Sequence, residues 1–152
     1  MNLIEIHSST PDDTRALGRL MAALLTAGDV LLLSGSLGSG KTCLASGIAE
    51  GLGIGDRVLS PTFVIVREYR DGFLPLYHAD VYRLHSMVEF EDLELVERAD
   101  DGVLLVEWGE AVERWVPSDH LSVDIAVAGD ETRTIMIVPH GSWAERDLEV
   151  LT

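Results

Sequence analysis

The sequence predicts an α/β fold, a mixed and partly parallel central sheet flanked by helices, in a single domain spanning residues 1–152. Three observations predict it. Residues 30–33 and 103–106 are short, uninterrupted apolar runs, the pattern of strands covered on both faces. A glycine-rich stretch joins the first run to a segment with helical spacing, which makes a strand–loop–helix unit. Turn residues at Arg70-Asp71-Gly72 and Gly129-Asp130 separate further strand-like segments, so hairpins make the sheet mixed.

Each element has its own signal. Residues 3–6 read as a short strand. Thr10-Pro11-Asp12-Asp13 opens a helix: Thr10 caps it, Pro11 takes the first position, where a missing N–H costs nothing, and Asp13 closes a capping box. Leu17, Leu20, Met21, Leu24 and Leu25 recur at helical spacing, and Gly28 is the predicted stop. A second helix covers residues 42–52, with Gly51, Gly53 and Gly55 at its exit. Residues 63–69 and 74–79 read as a hairpin. Ser86 and Glu89 form another capping box, for a helix reaching residue 96. Residues 111–116 read as a short helix stopped by Pro117. Residues 121–128 and 132–138 read as a late hairpin in which Val123, Ile125 and Val127 share a face. The polar tail, 139–152, is predicted to be a loosely held helix.

Composition narrows the function. The net charge is −15, from 26 acidic and 11 basic residues, and Lys41 is the single lysine. Nucleic-acid affinity rests on cations that neutralise phosphates, so direct nucleic-acid or anionic-membrane binding is not expected. Work on a nucleic-acid pathway would then run through a protein partner; simple solubility accounts for the charge equally well. No run approaches the roughly 18 apolar residues of a membrane span. The first residues lack the basic start and apolar stretch of a signal peptide. One cysteine, Cys43, makes no disulfide framework and no cysteine zinc site. These features together point to the cytoplasm.

Gly35-Ser36-Leu37-Gly38-Ser39-Gly40-Lys41-Thr42 fits G-x-x-x-x-G-K-[ST] in full, after a strand and before a helix. Glycines let backbone amides close around phosphate, and the helix start adds positive potential. Lys41 is expected on the β- and γ-phosphates and Thr42 on Mg²⁺. The domain therefore reads as a P-loop NTPase. No lysine remains for the Asn-Lys-x-Asp guanine-reading motif, so ATP is favoured over GTP. Cys43, in the first helical turn, reads as a small residue packed on the sheet, with a redox-sensitive thiol as the rarer alternative.

Hydrolysis also needs a metal organiser and a positioned water. Three segments offer them. Thr62, in Ser60-Pro61-Thr62, is either a γ-phosphate sensor or a turn threonine. Asp80, just past an apolar strand, either orients water or Mg²⁺ or caps a helix. Glu107, at the end of Val103-Leu104-Leu105-Val106-Glu107-Trp108, has the Walker B arrangement, a carboxylate at the C-terminal end of a strand.

These residues form a set. The P-loop, Ser60-Pro61-Thr62-Phe63, His78-Ala79-Asp80-Val81-Tyr82-Arg83-Leu84 and Glu107-Trp108, in this order and spacing, resemble the TsaE (YjeE) family of bacterial tRNA threonylcarbamoyladenosine biosynthesis proteins. The resemblance covers about residues 5–140. It implies a weak ATPase that assists the partners TsaD and TsaB, which transfer threonylcarbamoyl to adenosine 37 of tRNAs reading codons that begin with A. It also implies site roles: Lys41 on phosphate, Thr42 and Glu107 on magnesium, Asp80 and Thr62 near the γ-phosphate, Trp108 beside the nucleotide and Arg133 approaching ATP. The family usually carries Asp where this chain has Ser36, which puts any role of that acid in water positioning or partner contact in doubt. Arg83 is either an internal arginine finger or a partner for nearby carboxylates. Two other readings stay open on the residues alone: a small P-loop kinase acting on a metabolite or nucleotide, and a nucleotide-binding scaffold without useful catalysis.

Overall fold

The computed structural model describes residues 3–36, 38–55, 58, 66–81 and 87–152. They form an α/β domain around a seven-stranded mixed sheet in the order β1-β7-β6-β2-β5-β4-β3. The strands are β1 (Ile4–Ser8), β2 (Val30–Gly35), β3 (Val66–Tyr69), β4 (Leu76–Asp80), β5 (Val103–Glu107), β6 (His120–Val127) and β7 (Arg133–His140). Strand β2 is central and runs parallel to both β5 and β6, and β4 runs parallel to β5. The hairpins β3–β4 and β6–β7, with β1 on β7, supply the antiparallel pairs.

The apolar runs are continuous because each face of the sheet has its own cover. Leu31, Leu33 and Leu105 point to one side, packing with Leu17 and Met21 of helix α1 (Pro11–Ala22) and Leu44 and Ile48 of helix α2 (Lys41–Gly51). Val30, Leu32, Leu104 and Val106 point to the other, against Phe90 of α3 (Met87–Leu93), Leu95 of α4 (Leu95–Arg98) and Val112.

Helices α1 and α2 lie very close together because glycines line their contact. A Cβ on Gly18 would come 2.5 Å from the Leu44 carbonyl oxygen, and one on Gly47 would run into the Arg15 carbonyl. This seats α2, and the loop that precedes it, firmly against α1.

Several boundaries differ from the sequence reading. Helix α1 stops at Ala22 rather than Gly28, and Leu20 is exposed. The Thr10 cap holds, its hydroxyl accepting from the Asp13 amide at 3.1 Å, while the Asp13 carboxylate accepts from Ser9 N–H, one residue outside the expected box. The helix expected to reach residue 96 breaks at Glu94, which has φ 49°, and residues 111–116 give 3-10 turns at Gly109–Ala111 and Glu113–Trp115. Strand β7 runs through Pro139, which pairs with Leu121 of β6 but lies beyond the reach of β1, whose register ends at Ile137. On that side no strand among the described residues asks for its missing N–H. The expectation of a loosely held tail is corrected: Trp143, Leu148 and Leu151 are buried in the core. Arg146 pins the tail, donating to both Asp29 carboxylate oxygens at 2.7 and 2.8 Å and lying over the Trp143 ring. The tail's apolar residues are isolated within a polar stretch, so periodicity could not reveal them. Among the described residues no helix is long and apolar enough to cross a membrane.

Candidate nucleotide site

Strand β2 delivers the glycine-rich loop to the C-terminal edge of the sheet. Its glycines take conformations that side chains rarely adopt: φ is 148° at Gly35, 75° at Gly38 and 113° at Gly40. Gly35 also has no room for a side chain, since a Cβ would lie 2.6 Å from both the Ile125 carbonyl and the Ser39 hydroxyl. Gly40 is the N-cap of α2 and brings no capping side chain, so the first-turn amides are left for a ligand. The buried Ser39 hydroxyl has no hydrogen-bond partner among the described residues.

Lys41 is buried at the loop's base. Its ammonium donates to the Gly35 carbonyl at 2.6 Å and lies 3.7 Å from the centre of the Trp108 ring. Burial pulls its pKa below the usual lysine value, and the carboxylates of Glu107, Glu110 and Asp80 pull it back up. The ammonium is therefore short of solvation, and an anionic group would be stabilised beside it. Thr42 is exposed at the first turn of α2.

The two sequence-predicted carboxylates come together. Asp80 at the end of β4 is the register partner of Glu107 at the end of β5, which in turn pairs with Leu33 of β2, just before the loop. Both acids sit on the sheet face that α2 covers. A residue that the sequence reading gave no role joins them: His78 Nε2 donates to the Glu107 carboxylate at 2.6 Å, with both side chains buried. His78 Nδ1 has no partner among the described residues. His78 stands two positions before Asp80, so strand alternation puts both on one face; that signal was available in the sequence. Such a carboxylate–histidine pair fixes the orientation of a metal-binding oxygen. The chemistry of the set fits magnesium, a hard cation that takes carboxylate and hydroxyl oxygens.

Trp108 follows Glu107 with φ 63°, a conformation that costs a non-glycine residue of order 1–3 kcal/mol. The turn is enforced by Gly109, where a Cβ would lie 2.5 Å from the Leu32 Cβ. This turn places the indole over Lys41. Arg133, expected to approach ATP, grips the loop's backbone: Nε donates to the Ser39 carbonyl at 2.8 Å and a terminal nitrogen to the Gly38 carbonyl at 3.3 Å. It thus ties the β6–β7 hairpin to the glycine loop. Leu37, Thr62 with its neighbours Ser60, Pro61 and Phe63, and Arg83 lie outside the described residues.

A parallel strand, a glycine loop, a helix carrying the lysine and a carboxylate on the adjacent parallel strand define the P-loop class of nucleotide-binding folds. Comparison with known proteins sharpens this. The family model for threonylcarbamoyl adenosine biosynthesis protein TsaE matches residues 8–135, and the chain belongs to that family. It is 45% identical over 153 residues to the tRNA threonylcarbamoyladenosine biosynthesis protein TsaE of Bacillus subtilis, covering 100% of this chain and 96% of that one. The protein of the same name from Streptomyces coelicolor is 46% identical over 146 residues, covering 90% of this chain and 98% of the relative. Among solved structures, Bacillus subtilis YdiB superposes with a TM-score of 0.79 at 39% identity, covering 95% of this chain and 90% of that one.

Proposed function

We propose that this protein binds ATP with magnesium, hydrolyses it slowly, and uses its nucleotide state to control docking on the TsaB–TsaD pair that makes threonylcarbamoyladenosine in tRNA. The observation that carries the reading is the placement of Lys41 at the base of the glycine loop, with Glu107 and Asp80 in register on the neighbouring strands. The family membership and the names of the relatives supply the pathway.

In this reading, amides of residues 35–42 and the Lys41 ammonium hold the phosphates. Lys41 gives up its bond to Gly35 when phosphate arrives. Thr42, Glu107 and Asp80 would hold magnesium, which would neutralise charge on the phosphates. His78 keeps the Glu107 carboxylate aimed. Trp108 flanks the nucleotide, Arg133 keeps the loop closed, and Thr62 senses the γ-phosphate. The absence of a lysine for guanine reading favours ATP. The −15 charge fits a division of labour in which partners hold the tRNA and this chain works in the cytoplasm without touching nucleic acid.

The test is ATP turnover by the purified protein with and without TsaB–TsaD, alongside multi-cycle tRNA modification. The reading expects turnover to rise with the partners and repeated modification to require this protein. Unchanged turnover together with unaffected modification would overturn it.

A further inference from the structure

A second cluster of polar side chains lies at the other end of the sheet. In the β2–β6 pairing, Ile125 stands beside Gly35 at the loop, whereas Leu121 stands beside Leu31 at the start of β2. His120, one residue earlier, is therefore at the edge opposite the P-loop. It faces His140 across the β6–β7 hairpin, their rings stacked with centroids 4.2 Å apart. Glu113, from the 3-10 turn Glu113–Trp115, closes the group, and one donor atom from each of the three lies within 4.8 Å of the others.

We propose that Glu113, His120 and His140 form a binding site for a divalent transition-metal ion of the zinc class. The decisive observation is His120. Its side chain is 6% exposed, and Nδ1 donates to the Pro117 carbonyl at 2.8 Å. That bond fixes the tautomer, so Nε2 presents a lone pair. This lone pair is buried without a hydrogen-bond partner among the described residues, and it faces a Glu113 carboxylate oxygen 3.6 Å away. Two electron-rich atoms held face to face repel unless a cation, either a proton on Nε2 or a metal ion, stands between them. A histidine whose second nitrogen donates to a backbone carbonyl is the usual arrangement of a metal ligand.

The other two ligands can adjust. Zinc bonds of about 2.0–2.2 Å bring donor atoms to about 3.3 Å from one another, which requires the cluster to contract. His140 is half-buried and Glu113 is 49% exposed, so both have room to turn. The Ser122 hydroxyl now bridges them, donating to Glu113 at 3.2 Å and meeting His140 Nε2 at 3.1 Å, and the ion would take its place. Two imidazoles and a carboxylate, with a fourth position left for water, suit zinc rather than magnesium. Bound metal would clasp the segment leaving β5, which begins at Glu107 and Trp108, to the β6–β7 hairpin, which ends at the loop-gripping Arg133.

The experiment is calorimetric titration of zinc into the chelator-treated full chain at neutral pH. Wild type, His140→Gln, Glu113→Gln and Glu107→Gln are compared, with folding verified by circular dichroism. The proposal expects saturable uptake of one equivalent by the wild type and by Glu107→Gln. Affinity should fall about tenfold or more in His140→Gln and Glu113→Gln, as when a metal's ligand environment is damaged. No saturable uptake, uptake unchanged in both cluster variants, or loss only in Glu107→Gln would overturn it. Glu113 is on the surface, so its variant remains informative if His140→Gln does not fold.

Discussion

The Lys41 ammonium is held between the Gly35 carbonyl at 2.6 Å and the Trp108 ring at 3.7 Å. This couples the P-loop to the residue that follows the strand-end carboxylate Glu107. Phosphate binding must break the first contact and disturb the second, since the same charge cannot be fully shared. The indole of Trp108 should therefore report occupancy. Titration with Mg·ATP is expected to change tryptophan fluorescence. Trp108→Phe should lose most of that change, although two of the three tryptophans remain.

The pair His78–Glu107 gives a metal-dependent prediction. Without the imidazole, the buried Glu107 carboxylate loses its 2.6 Å hydrogen bond and its fixed orientation. His78→Ala should raise the magnesium concentration needed for half-maximal ATP turnover by about 10–100-fold, the usual cost of removing such a support. His78→Gln, which keeps a donor, should recover part of the loss. The magnesium dependence of turnover measures both.

Arg133 should act on affinity through the loop. Its bonds to the Ser39 and Gly38 carbonyls hold the loop's outer wall. Arg133→Ala removes a charge-assisted hydrogen bond of about 1.5–3 kcal/mol, which corresponds to a weakening of nucleotide binding of roughly 10–100-fold. Arg133→Lys should recover little, because a compact ammonium lacks the planar fork whose Nε and terminal nitrogen reach the two carbonyls from separate positions. The dissociation constant, read by fluorescence, decides.

How much of this was legible in the sequence depends on distance along the chain. The P-loop and the Walker B-like Glu107 were readable because their chemistry is local: glycines, a lysine and a strand-end acid at short spacing. Asp80 was readable as a candidate, but its register beside Glu107 came only with the parallel pairing of β4 and β5. Arg133 was named for ATP, and its grip on Gly38 and Ser39 was out of view because the sheet order creates it. The burial of the tail was missed because Trp143, Leu148 and Leu151 are too few, in a polar stretch, to mark an apolar face. The break at Glu94, with φ 49°, has no glycine or proline to announce it.

Gly47 shows the same limit and yields a stability prediction. It stands inside α2, where helix propensity alone would favour alanine by about 1 kcal/mol. Its Cβ would strike the Arg15 carbonyl of α1. Gly47→Ala should therefore destabilise the fold by about 1–3 kcal/mol through overpacking, against the propensity trend. Urea unfolding measures this as a lower midpoint.

The acid limb of stability should depend on Tyr77. Its hydroxyl donates to Asp101 at 2.8 Å and accepts from Arg70 at 2.7 Å, and Arg70 also pairs with Asp101 at 3.0 Å. The Tyr77 hydrogen bond, chiefly, holds the Asp101 carboxyl below the usual carboxylate value. A depressed native pKa means that the unfolded chain binds the proton more tightly. The contribution is thus present above the unfolded value near 3.8 and is lost as pH falls through the native one. Tyr77→Phe should shrink the loss of Tm between neutral pH and pH 3 relative to wild type, although it lowers Tm at neutral pH.

Every role assigned to this site requires one glycine loop and the chain's single lysine to hold Mg·ATP. The deciding experiment is calorimetric titration of Mg·ATP into folded wild type and Lys41→Ala. Saturable one-to-one binding is expected for the wild type, with binding by Lys41→Ala weakened at least about tenfold, as expected for loss of a charged phosphate contact. No binding by folded wild type, or equal binding by both proteins, would rule that role out.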